Sequence, residues 1–112
     1  MTTENEGWTF TDEAAVEWQP LGPGITMKSL GIADGKIMAM FKFDAGYVGG
    51  QHSHDSEPEF TYVLEGSIIS NGVLMSSGHA YAAQAGTTHD EFRTETGCTL
   101  VSVFPVPPGM GG

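Results

Sequence analysis

The sequence predicts an all-β domain folded as a sandwich or barrel. Its apolar runs are short, recur about every 8–12 residues and are separated by Gly, Asp and Asn, which is the pattern of such folds. The 16 glycines among 112 residues disfavour long helices, because glycine lowers helix stability. The length suits one domain, which we divide into an N-terminal arm or edge strand (1–20), a barrel (21–106) and a flexible tail (107–112).

Eight strands follow one another along the predicted barrel, each bounded by a turn signal. The pairs Asp34-Gly35 and Asn71-Gly72 have the composition of tight hairpin turns. A helical candidate covers residues 12–18, but it is short and lacks a cap at its end. The predicted strands cover residues 25–32, 36–43, 59–64, 67–70, 73–76, 79–83, 89–94 and 99–106.

Charge and cysteine content exclude several classes of function. Four Lys and Arg against fourteen Asp and Glu give a net charge of -10, which argues against nucleic acids and anionic membranes as partners because both require a basic surface. The single cysteine, Cys98, excludes a disulfide scaffold and a cysteine-based zinc cluster, and it fits a reducing compartment. Since we find neither signal-peptide features nor an apolar run near the roughly 18 residues of a membrane span, we expect a cytoplasmic protein.

Residues 59–64 present a second apolar face. Side chains alternate along a strand, so Phe60, Tyr62 and Leu64 share one face, which is wholly apolar. In a lone barrel, one face of this strand would be exposed to water. We therefore expect the outer face to be covered, either by the N-terminal arm or by a second subunit, and we favour a homodimer.

A histidine pair begins the segment with the most chemical information. His52 and His54 are two residues apart, which on an extended strand places both on one face, near enough to share a metal ion. Glu59 opens the next strand after a tight turn, and His89 lies at the mouth of a later one. A barrel brings such strand ends together around one cavity, so three imidazoles and one carboxylate form a candidate metal site. Glu57 shares its strand parity with Glu59 and is the alternative ligand.

The same segment resembles the first sequence motif of the cupin superfamily. That motif runs Gly, five residues, His-x-His, four residues, Glu, six residues and Gly. Here Gly46, His52, His54, Glu59 and Gly66 meet every spacing. Agreement of five positions at fixed offsets makes this motif specific.

A later segment resembles the second cupin motif, which runs Gly, five residues, Pro-x-Gly, two residues, His, three residues and Asn. Gly78, Gly86 and His89 match it. Gln84 replaces the expected Pro and Arg93 the expected Asn, and neither change removes a ligand. The Gln84 replacement affects the turn geometry before His89, and the Arg93 replacement affects the hydrogen bonding usual at the end of this strand.

The cupin resemblance spans about residues 25–104 and implies both a fold and a cofactor. The implied fold is a double-stranded β-helix, a jelly-roll-like barrel present once. The implied cofactor is one divalent transition-metal ion, Fe, Mn, Ni, Cu or Zn, because imidazole ligands suit several of these metals alike. The implied ligands are His52, His54, Glu59 and His89.

Three short segments add a more specific likeness within the superfamily. Residues 59–66, the short hairpin over 67–75 and residues 95–100 resemble a cupin subgroup. That subgroup includes the cupin domain of zinc-binding anti-sigma factors and small diketone-cleaving dioxygenases. The anti-sigma helper domain with its Cys and His zinc ligands is not found in this sequence.

Two functional hypotheses follow from this ligand set. The first is a small metalloenzyme of dioxygenase type that acts on a small oxygen-chelating substrate, with the metal as Lewis acid and template. In this hypothesis Glu59 either stays bound to the metal or detaches and acts as general base. The second is a non-catalytic module that binds a metal or small ligand for sensing, which the likeness to anti-sigma cupin domains favours.

Arg93 is the candidate substrate-binding residue. His89, Glu91 and Arg93 share a face by strand alternation, and a guanidinium can bind a substrate carboxylate or enolate. Pairing of Arg93 with Glu91 or Glu95 is the alternative. We expect Cys98 to be a buried, inert thiol, because no basic neighbour in the sequence would lower its pKa.

Overall fold

The computed structural model describes residues 6–49, 52–54 and 58–106, with the backbone alone for 52–54. In this part of the chain a single 3-10 turn, Glu13–Ala15, precedes the strands, and no helix has the length and apolar composition needed to cross a membrane. The strands are β1 (Gln19–Gly22), β2 (Ile25–Ala33), β3 (Lys36–Phe43), β4 (Val48–Gly49), β5 (His52–His54), β6 (Glu59–Ser70), β7 (Val73–Ser76), β8 (Ala80–Ala83), β9 (Thr87–His89), β10 (Phe92–Arg93) and β11 (Cys98–Pro105).

Strand β6 connects two antiparallel sheets. Its first half lies between β11 and β8, and pairing continues from β11 through β3 and β2 to β1 at the edge, which forms the large sheet. Its second half pairs with β7 and β10, and β10 pairs with β4, which forms the small sheet. Strands β5 and β9 form a separate two-stranded ribbon. The predicted all-β, jelly-roll-like architecture is confirmed.

The two hairpin turns predicted from composition have the expected backbone. Asp34 and Gly35 have φ values of 49° and 75°, and Asn71 and Gly72 have 50° and 78°. Positive φ at both central residues is the requirement of the two-residue turn that matches strand twist, and Asn, Asp and Gly adopt it with little strain. Strand β3, which follows the first of these turns, has the predicted limits, residues 36–43.

Apart from shifts of one residue at strand ends, the predicted strands are wrong in two places. Strand β6 does not end at residue 64 but continues to Ser70 through Gly66, whose φ of 74° allows the strand to bend between the two sheets. The strand predicted over residues 89–94 is instead β9 and β10, interrupted at residues 90–91. Within the helical candidate over 12–18, only the 3-10 turn forms, and there the carboxylate of Asp12 accepts a hydrogen bond from the amide of Ala14.

The core lies between the sheets and is built from the inward-facing side of β6 and its neighbours. Its buried members are Phe43, Val63, Ile68, Met75, Cys98 and Leu100. On β6, Thr61 and Val63 are buried, whereas Phe60 and Tyr62 on the opposite face are half exposed. The part of the N-terminal arm that lies on this outer face includes Trp18, whose ring faces the Lys28 ammonium at 4.4 Å. The arm therefore covers only part of the outer face.

Candidate metal centre

His89 ends strand β9 inside the mouth of the barrel. Its side chain is buried, with an exposed fraction of 5% for the residue. The imidazole stacks parallel to Phe92 with ring centroids 6.3 Å apart, and the ring of Tyr81 approaches edge-on at 5.7 Å. Two aromatic rings therefore limit the orientations open to this histidine.

Glu59 begins strand β6 beside His89. Its Oε2 accepts hydrogen bonds from Thr61 Oγ1 and from Tyr81 Oη, each at 2.8 Å. Its Oε1 lies 4.0 Å from Nε2 of His89. One carboxylate oxygen is thus held by two hydroxyl donors, while the other faces the imidazole.

A chain of hydroxyl groups supports the carboxylate. Thr61 Oγ1 lies 2.7 Å from Ser102 Oγ on the neighbouring strand β11. Because Thr61 has one hydroxyl hydrogen and directs it to Glu59, Ser102 is the donor in this pair. Burial and then the Glu59 charge raise the pKa of Tyr81 above its ordinary value, so the phenol keeps the hydrogen that it donates.

The ribbon of β5 and β9 brings the other two histidine positions, 52 and 54, beside the strand that carries His89. Residue 52 pairs with residue 89, and residue 54 pairs with residue 87. Directly opposed residues of an antiparallel pair share a face, and so do residues two apart on one strand. Positions 52, 54 and 89 therefore lie on one face of the ribbon, and of these His89 faces Glu59.

The two described donors lie close to the separation that a shared ion requires. Two ligand atoms bound to one metal at about 2.1 Å each are about 3.4 Å apart in tetrahedral geometry. The 4.0 Å between Glu59 Oε1 and His89 Nε2 is about 0.6 Å longer, so the side chains must approach slightly to bind one ion. Among the described side chains, no group of three or more His, Cys, Asp or Glu lies close enough to hold an ion. The side chains of His52, His54 and Glu57 lie outside the described set.

Asn71 in the β6–β7 hairpin holds the backbone on both sides of His89. Its Oδ1 accepts a hydrogen bond from the amide of Asp90 at 2.8 Å, and its Nδ2 donates to the carbonyl of Thr88 at 3.1 Å. Its own amide donates to the carbonyl of Glu91 at 3.0 Å. Sequence reasoning identified Asn71 only as a turn residue, because hydrogen bonds to residues distant in the chain have no local signal.

We expect Asn71→Gly to weaken metal binding about tenfold, in the range typical of residues that position metal ligands. Glycine adopts the positive φ of this turn without strain, so the change removes the side-chain hydrogen bonds and leaves the turn intact. Asn71→Asp keeps the oxygen that accepts from Asp90 but loses the donor to the Thr88 carbonyl, so it is expected to restore only part of the affinity. Calorimetric titration of the metal-free proteins with Zn²⁺ measures the effect, and equal affinities for Asn71→Gly and the wild type would contradict it.

Arg93 lies on the surface side of β10. The break at residues 90–91 ends the strand alternation that placed Arg93 on the face of His89. Phe92, its neighbour, packs on the core residue Phe43 with ring centroids 4.9 Å apart. Arg93 Nε donates to Glu91 at 2.8 Å and Nη1 to Glu95 at 3.4 Å. Its pKa is raised and that of Glu91 lowered by this pairing, and a substrate-binding role for Arg93 stays a prediction.

The remaining histidine and the cysteine lie apart from this cluster. His79 is exposed, and its Nδ1 accepts a hydrogen bond from the amide of Ser76 at 2.8 Å. Cys98 is a buried free thiol, and burial raises its pKa to about 12. The predicted burial of Cys98 is confirmed. Because a neutral thiol in the core is a poor nucleophile, an inert Cys98 stays our prediction.

Comparison with known proteins supports the architecture. Residues 7–105 match a family model described as the ChrR Cupin-like domain. The chain is 31% identical over 91 residues to the pectin degradation protein KdgF of Dickeya dadantii (strain 3937), with 78% of this chain and 83% of the relative covered.

Solved structures give the same picture. The structure of KdgF from Halomonas sp. superposes with a TM-score of 0.78 at 27% identity, covering 87% of this chain and 94% of that one. An acetylacetone dioxygenase from Acinetobacter johnsonii superposes with a TM-score of 0.70 at 16% identity, covering 94% of this chain and 77% of that one. At 16% identity, the second likeness concerns the fold alone.

Proposed function

The chain belongs to the ChrR-type family of cupin-like domains, and on this premise we propose that it is a metal-dependent enzyme for a small oxygen-chelating substrate. The observation that carries the proposal is the placement of Glu59 4.0 Å from His89, at the end of a ribbon where residue 52 pairs with residue 89. The proposed ligands are His52, His54, Glu59 and His89, for one Fe, Mn, Ni, Cu or Zn ion. When bound, the ion supplies Lewis acidity and a template for two substrate oxygens.

The surroundings of Glu59 suit a role as general base. Thr61 and Tyr81 both donate to Oε2, so that oxygen stays anchored while Oε1 remains directed toward the cluster of histidine positions. When Oε1 is not bound to the ion, the carboxylate anchored through Oε2 can accept a proton at Oε1 without losing its orientation. Phe92 and the ring of Tyr81 cover His89 and limit the access of water to it.

The curated relative favours one class of substrate. This relative is 31% identical over most of both chains, and its name assigns it to pectin degradation. We therefore propose a sugar acid released from pectin or a related polysaccharide, because a carboxylate and an adjacent oxygen form a chelating pair. Dioxygenase chemistry on a diketone is the second candidate, which the fold of acetylacetone dioxygenase supports.

Metal content and substrate turnover together test this proposal. We expect the purified protein to hold about one equivalent of a transition metal by plasma mass spectrometry, and the metal-loaded protein to convert uronic acids released from pectin under anaerobic conditions. Oxygen uptake with diketones or phenolic ketones would instead select the dioxygenase candidate. Full metal loading without turnover of either class would favour the alternative, a non-catalytic sensing module, and failure to bind any transition metal would reject the proposed site.

A further inference from the structure

All four cationic side chains of this chain lie on the outer faces of the two sheets. The sequence has four Lys and Arg in total, and each of them falls within the described residues. Lys28, Lys36 and Lys42 lie on the outer face of the large sheet, because they alternate with the inward-facing residues of β2 and β3. Arg93 lies on the surface side of the small sheet, where it is paired with two glutamates. The inner face of the large sheet, which borders the core and the metal centre, therefore carries none of these four residues.

A row of apolar side chains leads away from Glu59 across this inner face. The register of β6 with β11 places Phe104 beside Glu59. Phe104 pairs with Ile37 on β3, which in turn pairs with Ile32 on β2, and directly paired residues of antiparallel strands share a face. Ile37 is buried, whereas Ile32 at the end of the row is 46% exposed. The row therefore runs from the carboxylate to a rim that is open to solvent.

A second row, of small residues, runs beside the first on the same face. Thr61 pairs with Ser102, and Ala39 lies between Ser102 and Ser29 in the register of β11, β3 and β2. The first three of these residues along the row from β6 are buried, and Ser29 at its end is exposed. We call the two rows together the inner strip. Beyond Glu59, the described side chains of the inner strip are uncharged as far as the rim.

The charge of the metal centre determines which substrates balance it. Under the proposed function, three neutral imidazoles and the Glu59 carboxylate would hold a divalent ion, which leaves one net positive charge. A chelating substrate with one negative charge brings this sum to zero. A second negative charge on the substrate would lie against the inner strip with no Lys or Arg of this chain beside it. Such an uncompensated charge is unfavourable where water is largely excluded.

We propose that this site selects oxygen chelators that carry a single negative charge and an uncharged body, and that it rejects dianions. The inference rests on the proposed metal-dependent function and narrows its substrate class. In the bound state, the chelating oxygens face the metal centre and the uncharged body lies along Phe104, Ile37 and Ile32. The net charge of -10 acts in the same direction, because it repels polyanions from the whole surface. A single sugar acid and a diketone enolate both meet the requirement, whereas an oligomer of uronic acids does not.

Two matched keto acids test the charge selectivity. α-Ketovalerate and α-ketoglutarate share the chelating α-keto carboxylate and the same chain length, but only α-ketoglutarate has a second carboxylate at the far end. We expect the Zn²⁺-loaded protein to bind α-ketovalerate at least about tenfold more tightly in calorimetric titrations, because the far carboxylate meets no cation. The zinc content is measured before either acid is added, so a failure of the metal centre is detected separately.

A lysine at the rim of the inner strip is expected to reduce this selectivity. Neighbouring strands lie about 4.8 Å apart, so residue 32 is about 14 Å from Glu59 along the sheet, a distance that a lysine and a five-carbon acid together largely span. We expect Ile32→Lys to raise the affinity for α-ketoglutarate about fivefold to tenfold and to leave that for α-ketovalerate within about threefold. Ser29→Lys is an independent variant at the end of the second row. Leu74→Lys makes the same change in net charge at an exposed residue of β7, outside the inner strip, and should alter neither affinity.

Several results would overturn the inference. Equal affinities of the zinc-loaded wild type for the two acids would do so, as would binding of neither acid. Tighter binding of α-ketoglutarate would also reject it and would favour the predicted substrate-binding role of Arg93. If both lysine variants fold, as thermal unfolding verifies, and neither gains affinity for α-ketoglutarate, the substrate does not lie along the inner strip. An equal gain in Leu74→Lys would show an effect of net charge alone. A protein that takes up no zinc would instead reject the proposed metal centre itself.

Discussion

Replacing His54 with alanine is expected to abolish stoichiometric metal uptake. Residue 54 lies two positions from residue 52 on the ribbon strand that pairs with His89. Residues that only position metal ligands contribute about 10–100-fold to affinity, so we expect loss of a ligand to weaken binding by more than about a hundredfold. Metal content after purification and calorimetric titration of the metal-free protein provide two independent measurements.

The chain offers a matched control for this substitution. His79 is exposed and accepts a hydrogen bond from the amide of Ser76, apart from Glu59 and His89. His79→Ala should therefore keep the full metal content. If His54→Ala also kept it, the proposed ligand set would be wrong.

A second pair of variants decides which carboxylate is the ligand. Glu59→Gln retains an oxygen that can accept from Thr61 and Tyr81, so the local hydrogen bonds persist while the negative charge is lost. We expect Glu59→Gln to lose most of its metal affinity and Glu57→Gln to keep it. The reverse result would assign the ligand to Glu57, the alternative that strand parity left open.

Gly66→Ala is expected to cause a large loss of stability. Gly66 has a φ of 74°, and a Cβ at this position would overlap the carbonyl oxygen of Gly97 and lie 2.9 Å from Cα of Cys98. Left-handed backbone costs a non-glycine residue about 1–2 kcal/mol, and forced overlap with a rigid backbone adds about 1–3 kcal/mol or more. The total of roughly 2–5 kcal/mol is a large part of the stability of a small domain.

Gly72→Ala separates the two contributions to this effect. Gly72 has a φ of 78°, close to that of Gly66, but a Cβ there would meet nothing within 4 Å. We therefore expect a loss of only about 1–2 kcal/mol for Gly72→Ala. Thermal and denaturant unfolding measure both variants, and equal losses would show that the contact with Gly97 does not constrain the bend of β6.

Local sterics explain which elements were predictable from the sequence. The turns at Asp34 and Asn71 depend on the residue and the glycine that follows it, because few side chains tolerate positive φ. The apolar run over residues 36–43, which follows the Asp34-Gly35 turn, likewise predicts β3 with its observed limits. Such features need only neighbouring residues, so composition and order are sufficient.

Contacts between distant residues explain the errors. The sequence predicts a strand end at residue 64, but the close approach of Gly97 to Gly66 makes this region a bend within β6. The run over residues 89–94 has strand composition. The amide of Asp90, however, donates a hydrogen bond to Asn71 Oδ1, and the strand is interrupted there. In both places a partner far along the chain competes with the local preference.

The sequence by itself determined the all-β class, the hairpin turns and the identity of the candidate ligands, because these depend on local conformational preference and on fixed offsets along the chain. Only the tertiary structure decided that Phe60 and Tyr62 face outward, that Asn71 holds the segment around His89, and that Glu59 lies 4.0 Å from that histidine. These facts depend on strand register and on which sheet covers which face. Register and layer order arise from the packing of the whole chain, and no short segment contains that information.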